Sequence, residues 1–324
     1  MPRVSVVTPV YNGERFLAQC IESVLSQSFD DFEYVIVDNC SSDRTRQIAE
    51  QYAGDRRVRI FHNDALLPVV ANYNRAAELI APDAQYLKYV AADDLLLPEC
   101  LRRMVDLADA HPSVQIVASY KIHGRTVVSE GPDFPQEVLD GQEVCRQFFR
   151  GQRGFLGGPT NHLIRLPISP VAGRFFDEDL LAADIEYFVR VLKAGARYGF
   201  VHQVLTFSRV HDEAVSTTVR VTGRGTCDEL TILQRHGRDF FSADEFDRVH
   251  RTHRRTYARW LFRVMLKAWD RRAWKYQAAE RERLKLSITP FDLIEAAAWE
   301  AASGLTSPRE VLRTLRREYA RVNS

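Results

Sequence analysis

The sequence predicts an α/β fold: a mostly parallel sheet flanked by helices, followed by a helical C-terminal region. Three observations carry this. Short β-branched runs alternate with amphipathic stretches through the first third of the chain. Acidic residues stand where several of those runs end. Beyond about residue 223 the pattern is almost wholly helical. Strands alternating with helices at this spacing build a parallel sheet covered on both faces. Such sheets take their ligand beyond the carboxyl ends of the strands.

Val4-Ser5-Val6-Val7-Thr8-Pro9-Val10 reads as a buried strand, and Asn12-Gly13 turns the chain. From Glu14, the apolar positions Phe16, Leu17, Cys20, Ile21, Val24 and Leu25 make one helical face. Tyr34–Val37 is a second strand and stops at Asp38. Ser41 or Ser42 can cap a helix running to about Tyr52, with Gly54 as its stop. Val58–Phe61 is a third strand, and Val70, Tyr73, Ala77 and Ile80 space a third helix. Tyr86–Val90 is a fourth strand ending at Asp93-Asp94. Pro98 suits the first turn of the next helix, whose inner face is Leu101, Met104, Val105 and Ala108. Val114–Val117 is a fifth strand. From about 120 to 220 Gly and Pro recur, which predicts loops and short strands, with one clear helix through Ile185, Phe188, Val189 and Leu192. The organisation read from this is 1–112 and 113–222, two halves of one domain, followed by 223–324, a helical region.

Composition narrows the class. The chain has 324 residues, 45% hydrophobic and 27% charged, enough to fill a core. Lys plus Arg is 44 against 43 Asp plus Glu, so global charge predicts no nucleic-acid partner. Cys20, Cys40, Cys100, Cys145 and Cys227 are widely spaced and include no C-x-x-C pair. They predict neither a disulfide framework nor a cysteine zinc site, and suggest a reducing, cytoplasmic setting. The opening Met1-Pro2-Arg3-Val4 enters a structured pattern at once, so no signal peptide is expected. No apolar run approaches the roughly 18–20 residues of a membrane span.

The strand ends carry the chemistry. The first turn, Thr8-Pro9-Val10-Tyr11-Asn12-Gly13, has neither the G-x-G-x-x-G nor the G-x-x-x-x-G-K-[ST] pattern. Its aromatic ring suits a flat base better than a phosphate. Asp38 can accept the imide N–H of uracil or thymine; as a turn former it has a plainer reading as well. Asp93 and Asp94 are adjacent carboxylates that repel each other without a counter-charge. Mg²⁺ or Mn²⁺ supplies one and also bridges phosphates. The competing reading is that they cap the helix near Pro98.

Together these residues resemble the family 2 glycosyltransferases of the GT-A fold. The matching segments are Val4–Gly13, Ile21–Ser28, Glu33–Asp43 and Tyr86–Asp94, in order, over roughly residues 3–110. A weaker match reaches about residue 217 through Ala183-Asp184 and Phe207–Ser216. The resemblance implies metal-dependent transfer of a sugar from a nucleotide diphosphate, with inversion. Pro9, Tyr11 and Asp38 would hold the base. Asp93 would bind Mn²⁺ or Mg²⁺, with Asp94 supporting it or contacting ribose. Asp184 falls at the catalytic base. Arg209 and His211 fall on a loop over the diphosphate, His211 near the metal. Ala91 stands in place of the first acid of the family's D-x-D motif. Ala183 stands in place of a common Glu, which leaves Glu178, Asp179 and Glu186 as substitute bases.

Other residues keep two readings. Asn74 on the third helix can face the nucleotide or solvent. In Gly157-Gly158-Pro159-Thr160-Asn161-His162, Asn161 and His162 can meet an acceptor or enter an edge strand. His62, after the third strand, reads as a turn residue. Residues 248–285 hold thirteen Lys or Arg against three acids, a net +10, interleaved with Trp260, Phe262, Trp269, Trp274 and Tyr276. That pattern fits a peripheral contact with an anionic membrane, useful for a lipid-linked acceptor, or an appendage packed through its aromatics. The expected partners are a nucleotide-sugar donor and a glycan or lipid-linked acceptor. The competing functions are a sugar nucleotidyltransferase and a non-catalytic nucleotide-sugar binder.

Overall fold

The computed structural model describes residues 2–128, 131–152, 156–167, 175–212, 214, 223–268, 271–289, 291–292, 294–296 and 299, with the side chains of 263–268 and 271–275 left aside. The chain divides into two compact units, Met1–Thr217 and Thr218–Ser324.

The first unit opens with β1 (Val4–Val10), α1 (Leu17–Leu25), β2 (Phe32–Asp38), α2 (Thr45–Glu50), β3 (Val58–His62), α3 (Val69–Glu78) and β4 (Tyr86–Tyr89). All seven residues of β1 and of β2 are buried, as expected of strands covered on both faces. β2 lies between β1 and β3, and β1 between β2 and β4, all parallel. α2 begins later than the serines predict. Ser41 Oγ instead accepts the Asn12 N–H (2.9 Å), and Asp43 Oδ1 accepts the Thr45 N–H (2.9 Å).

The rest of the unit is β5 (Leu95–Leu96), α4 (Cys100–Ala110), β6 (Val114–His123), β7 (Thr126–Val128), β8 (Val138–Asp140), α5 (Gly141–Phe149), a 3₁₀ turn (Pro159–Asn161), β9 (His162–Arg165), α6 (Ala183–Lys193) and β10 (Arg197–Ser208). The sheet order is β3-β2-β1-β4-β9-β6-β10-β5, with β7 on β6 and β8 on β10. β9 runs antiparallel between β4 and β6. β6 and β10 are parallel, with register shifts along their length. β10 has twelve residues where the sequence reading had only loops and short strands.

The second unit contains α7 (Arg224–His236), a 3₁₀ turn (Gly237–Asp239), α8 (Ala243–Ala268) and α9 (Arg271–Arg283). Tyr257 and Leu261 on α8 are fully buried, and the Tyr257 hydroxyl donates to Gln277 at 2.7 Å. Several cations of the basic stretch are paired inside this unit. Arg254 bonds Asp292, Arg255 meets Glu295 at 2.6 Å, and Arg283 meets Glu280 at 2.8 Å. Trp269 lies outside the described residues, and the Trp274 side chain is among those left aside.

Candidate active site

The register of the parallel strands aligns the first set of site residues. Val10 at the end of β1 lies opposite Asp38 at the end of β2, and Asp38 lies opposite His62 at the end of β3. Pro9 is buried within β1, whereas Tyr11 just beyond it is 51% exposed, so its ring is open to a ligand. Asp38 is only 3% exposed. Its Oδ1 accepts the Ser41 N–H (3.1 Å), and its Oδ2 lies 3.2 Å from His62 Nδ1. His62 is thus a strand residue paired to the candidate base-binding acid, which corrects its reading as a turn residue.

Asn74 faces the interior and not solvent. It is buried, its Nδ2 donates to the Phe176 carbonyl (3.0 Å) and to Glu178 Oε1 (3.1 Å), and its Oδ1 accepts the Phe176 N–H (2.9 Å). The side chain is a strut between α3 and the segment before α6.

The end of β4 meets the end of β10. His211 Nε2 and Asp93 Oδ2 are 2.8 Å apart. Asp94 is buried, and its carboxylate accepts from Ser208 Oγ and from the Arg209 N–H, both at 3.2 Å. Burial, and then repulsion from Asp93, push the Asp94 carboxyl up to about 6. A cation placed here would relieve that repulsion. The Arg209 guanidinium bonds the Asp93 carbonyl and Gln19, and lies 4.7 Å over the Phe16 ring. Phe16 also faces His211, with ring centroids 5.0 Å apart.

Among the described residues no group of three or more His, Cys, Asp or Glu side chains forms a ready metal cage. The Asp93–His211 pair nevertheless fits a hard divalent ion that draws its other ligands from phosphate oxygens and water, as Mg²⁺ sites do.

Asp184 lies in the first turn of α6. Its Oδ2 accepts the Gly158 N–H at 2.8 Å. Burial pushes its carboxyl above the usual aspartate value, while backbone donors and the charge of Lys121 pull the other way. Gly158 has φ +77°, a conformation that favours glycine, and a Cβ there would stand 3.3 Å from Lys121 Nζ.

The polar side chains that follow turn inward. Asn161 is 3% and His162 1% exposed. Asn161 Oδ1 accepts from Thr206 Oγ1 (3.0 Å) and Ser119 Oγ (3.3 Å), and its Nδ2 donates to the Ser119 carbonyl (2.9 Å). His162 Nδ1 lies 3.1 Å from the Gly158 carbonyl, Nε2 3.4 Å from the Tyr198 hydroxyl, and its ring 4.3 Å from that of Phe188. Through these contacts both side chains hold the turn from within.

The family profile described as glycosyl transferase family 2 matches residues 5–165, the segment that contains Asp38 and Asp93. The chain belongs to glycosyl transferase family 2. EpsE of Bacillus subtilis (strain 168), whose own glycosyltransferase assignment is provisional, is 35% identical over 153 residues. That match covers 44% of this chain and 54% of EpsE, so the chain spans about half the length of this relative. Among solved structures, S. aureus TarS 1-349 in complex with UDP superposes with a TM-score of 0.57 at 18% identity, over 82% of this chain and 72% of TarS. The mannosyltransferase PcManGT from Pyrobaculum calidifontis, in complex with GDP-Man and Mn²⁺, superposes at 0.58 and 16% identity, over 98% and 84% of the two chains. At these identities the two structures establish the GT-A-type fold of this family 2 member.

Within that fold, several site residues escape motif reading. His62 obeys the same strand-end rule as Asp38 and was within reach of it. Phe16 and Gln19 sit on the helical turn after β1 with no local mark of function. Lys121 donates to the Gly157 carbonyl (3.5 Å) and places its charge toward both Asp94 and Asp184. Nothing near it in the sequence marks it out.

Proposed function

We propose that the chain transfers a glycosyl group from a nucleotide diphosphate sugar, of UDP or dTDP type, to a hydroxyl of a glycan or lipid-linked acceptor. Surface polysaccharide synthesis is the setting. The observation that carries this reading is the meeting of Asp93, Asp94, Arg209 and His211 on the strand-end rim where Asp38 and Asp184 also stand. The ligands of the two superposed structures, UDP in one and GDP-Man with Mn²⁺ in the other, support a nucleotide-sugar donor and a divalent ion.

Tyr11 stacks on the base, and Asp38 accepts its imide N–H, which favours a pyrimidine. Arg209 sets a cation beside the diphosphate. Asp93 and His211 would hold a divalent ion, which would supply positive charge beside the leaving diphosphate. Asp184 takes the proton of the acceptor hydroxyl as the new bond forms, since a free hydroxyl is too weak a nucleophile near neutral pH. One displacement from the opposite face inverts the anomeric carbon and requires no covalent sugar–protein intermediate.

No helix among the described residues is long and apolar enough to cross a membrane. Peripheral contact through 248–285 remains part of the proposal for a lipid-linked acceptor, on the cytoplasmic face. Retention on anionic vesicles that weakens with salt supports that contact; no retention at low salt removes it.

The deciding experiment incubates the protein with labelled UDP-, dTDP- and GDP-sugars, with Mn²⁺ or with EDTA. Release of UDP or dTDP only with the ion supports the reading. Full turnover in EDTA overturns the metal assignment and points to a cationic site centred on Arg209. Binding without turnover of any donor makes the chain a nucleotide-sugar binder, and formation of a nucleotide sugar from its parts makes it a nucleotidyltransferase.

A further inference from the structure

Lys88 lies in β4 among apolar neighbours, and its side chain is 0% exposed. Burial pushes its ammonium below the usual lysine pKa. Among the described residues no carboxylate stands within ion-pair distance of it. Its Nζ donates to the Thr160 carbonyl at 2.7 Å and lies 3.4 Å from Met104 Sδ. An apolar side chain of similar length would fill this space without the cost of desolvating a cation. Core stability therefore gives no account of a lysine here.

The partner of Lys88 gives one. Thr160 Oγ1 accepts the Ala91 N–H at 3.0 Å, two residues before Asp93, and the Ala91 carbonyl in turn accepts the Asp94 N–H at 2.9 Å. Two residues before Thr160, the Gly158 N–H holds Asp184. The 3₁₀ turn thus holds the main chain that leads into the acidic pair, the glycine before it holds the candidate base, and Lys88 bonds the turn's central carbonyl.

We propose that Lys88 is a positioning residue: its ammonium fixes Thr160, and Thr160 in turn sets the main chain at Ala91 and the carboxylate pair that follows. The inference rests on the reading of Asp93 as a ligand of the divalent ion. Groups that orient metal ligands typically contribute 10–100-fold in metal affinity.

The test is UDP binding to the full chain by calorimetry, across a Mn²⁺ titration and in EDTA. In Lys88→Met the melting temperature should change little, because losing the buried cation's desolvation cost opposes losing its bond to the Thr160 carbonyl. UDP affinity in EDTA should stay unchanged, and the Mn²⁺ concentration at half-effect should rise about tenfold. Thr160→Val should move the Mn²⁺ midpoint in the same direction, and the double variant should go no further than the larger single change, as expected of one shared chain of contacts. An unchanged Mn²⁺ midpoint in Lys88→Met overturns the proposal. So does a lowered melting temperature with equal loss of UDP affinity in both conditions, which marks a purely structural lysine. If Lys88→Met does not fold, Thr160→Val decides by the same midpoint. Asp93→Asn separates the two levels: if it abolishes the Mn²⁺ effect while Lys88→Met leaves it intact, only the Lys88 link fails. If Asp93→Asn also leaves it intact, the metal reading itself fails.

Discussion

The two sides of the first unit's sheet position functional groups in different ways. On the β3-β2-β1-β4 side the strands are parallel, and each functional residue stands at or just past the end of its own strand. Register alone aligns Asp38 and His62 with the end of β1, one residue before Tyr11, whereas Asp93 stands four residues past β4. On the other side, β9 runs antiparallel between β4 and β6, and β10 pairs with β6 through register shifts. There the groups are held by side-chain ties between distant segments: Gly158 to Asp184, Asn161 to Ser119 and Thr206, Asp93 to His211. The first side sets its polar groups at the strand ends, on a fixed frame. The second is a set of struts in which a polar residue more often holds a turn than touches a substrate.

The largest expected effect tests whether the strut side contributes any chemistry. Asp184→Asn keeps shape and polarity but removes the proton acceptor. Transfer should fall on the order of 10²–10⁴-fold, the usual worth of a positioned general base, while UDP binding with Mn²⁺ survives. The pH dependence follows from burial. Asp184 is raised above the ordinary aspartate value, so its base form fills only as pH rises through that raised value. The wild-type rate should therefore climb with pH on its acid limb, and that limb should vanish in Asp184→Asn. Near-normal transfer in the variant would move the role to Glu178, Asp179 or Glu186. Loss of UDP binding as well would make Asp184 a strut like its neighbours.

The same contrast explains what the sequence discloses. The strands from β1 to β4, the helices between them and the acids at their ends are legible because each depends on a short local pattern and parallel topology does the rest. The aromatic–acid pairing of Tyr11 and Asp38 needs no contact information beyond adjacent strands. The insertion of β9 has no such pattern, since four residues, His162–Arg165, look alike as an edge or a central strand. Asn74, Asn161 and His162 show what polarity alone leaves open: a buried amide or imidazole must find internal partners, and most of those partners lie far away in the sequence. Lys88, Lys121 and Thr160 carry no local mark, because their roles exist only once residues up to 72 apart have met. Arg209 and His211 were reached through family resemblance and not through periodicity.

A second prediction sharpens the claim for the parallel side. Removing Asp38 should weaken UDP binding without unfolding the frame, because the strands around it are held by apolar burial. A hydrogen bond to a charged group contributes about 1.5–3 kcal/mol, roughly ten- to hundredfold in Kd. Calorimetry with Asp38→Ala should show that loss for UDP, with turnover at saturating donor largely kept. Equal UDP affinity in variant and wild type would remove the base-binding role and leave Asp38 as the partner of Ser41 and His62.

The smallest functional effect is expected where the polarity looked most like a binding site. Asn161 is enclosed, and every polar atom of its side chain has a partner within the protein: two hydroxyls on Oδ1 and the Ser119 carbonyl on Nδ2. Asn161→Ala strands those partners in the interior, which costs about 1–3 kcal/mol for an unsatisfied buried group. For a unit of this size that lowers the melting temperature by about 2–4 °C per kcal/mol. A strut predicts this loss of stability with the acceptor KM unchanged. An acceptor contact predicts the reverse, a raised KM with the melting temperature intact. The two readouts move independently, so thermal denaturation and acceptor kinetics on this one variant decide whether the buried amide belongs to the frame or to the reaction.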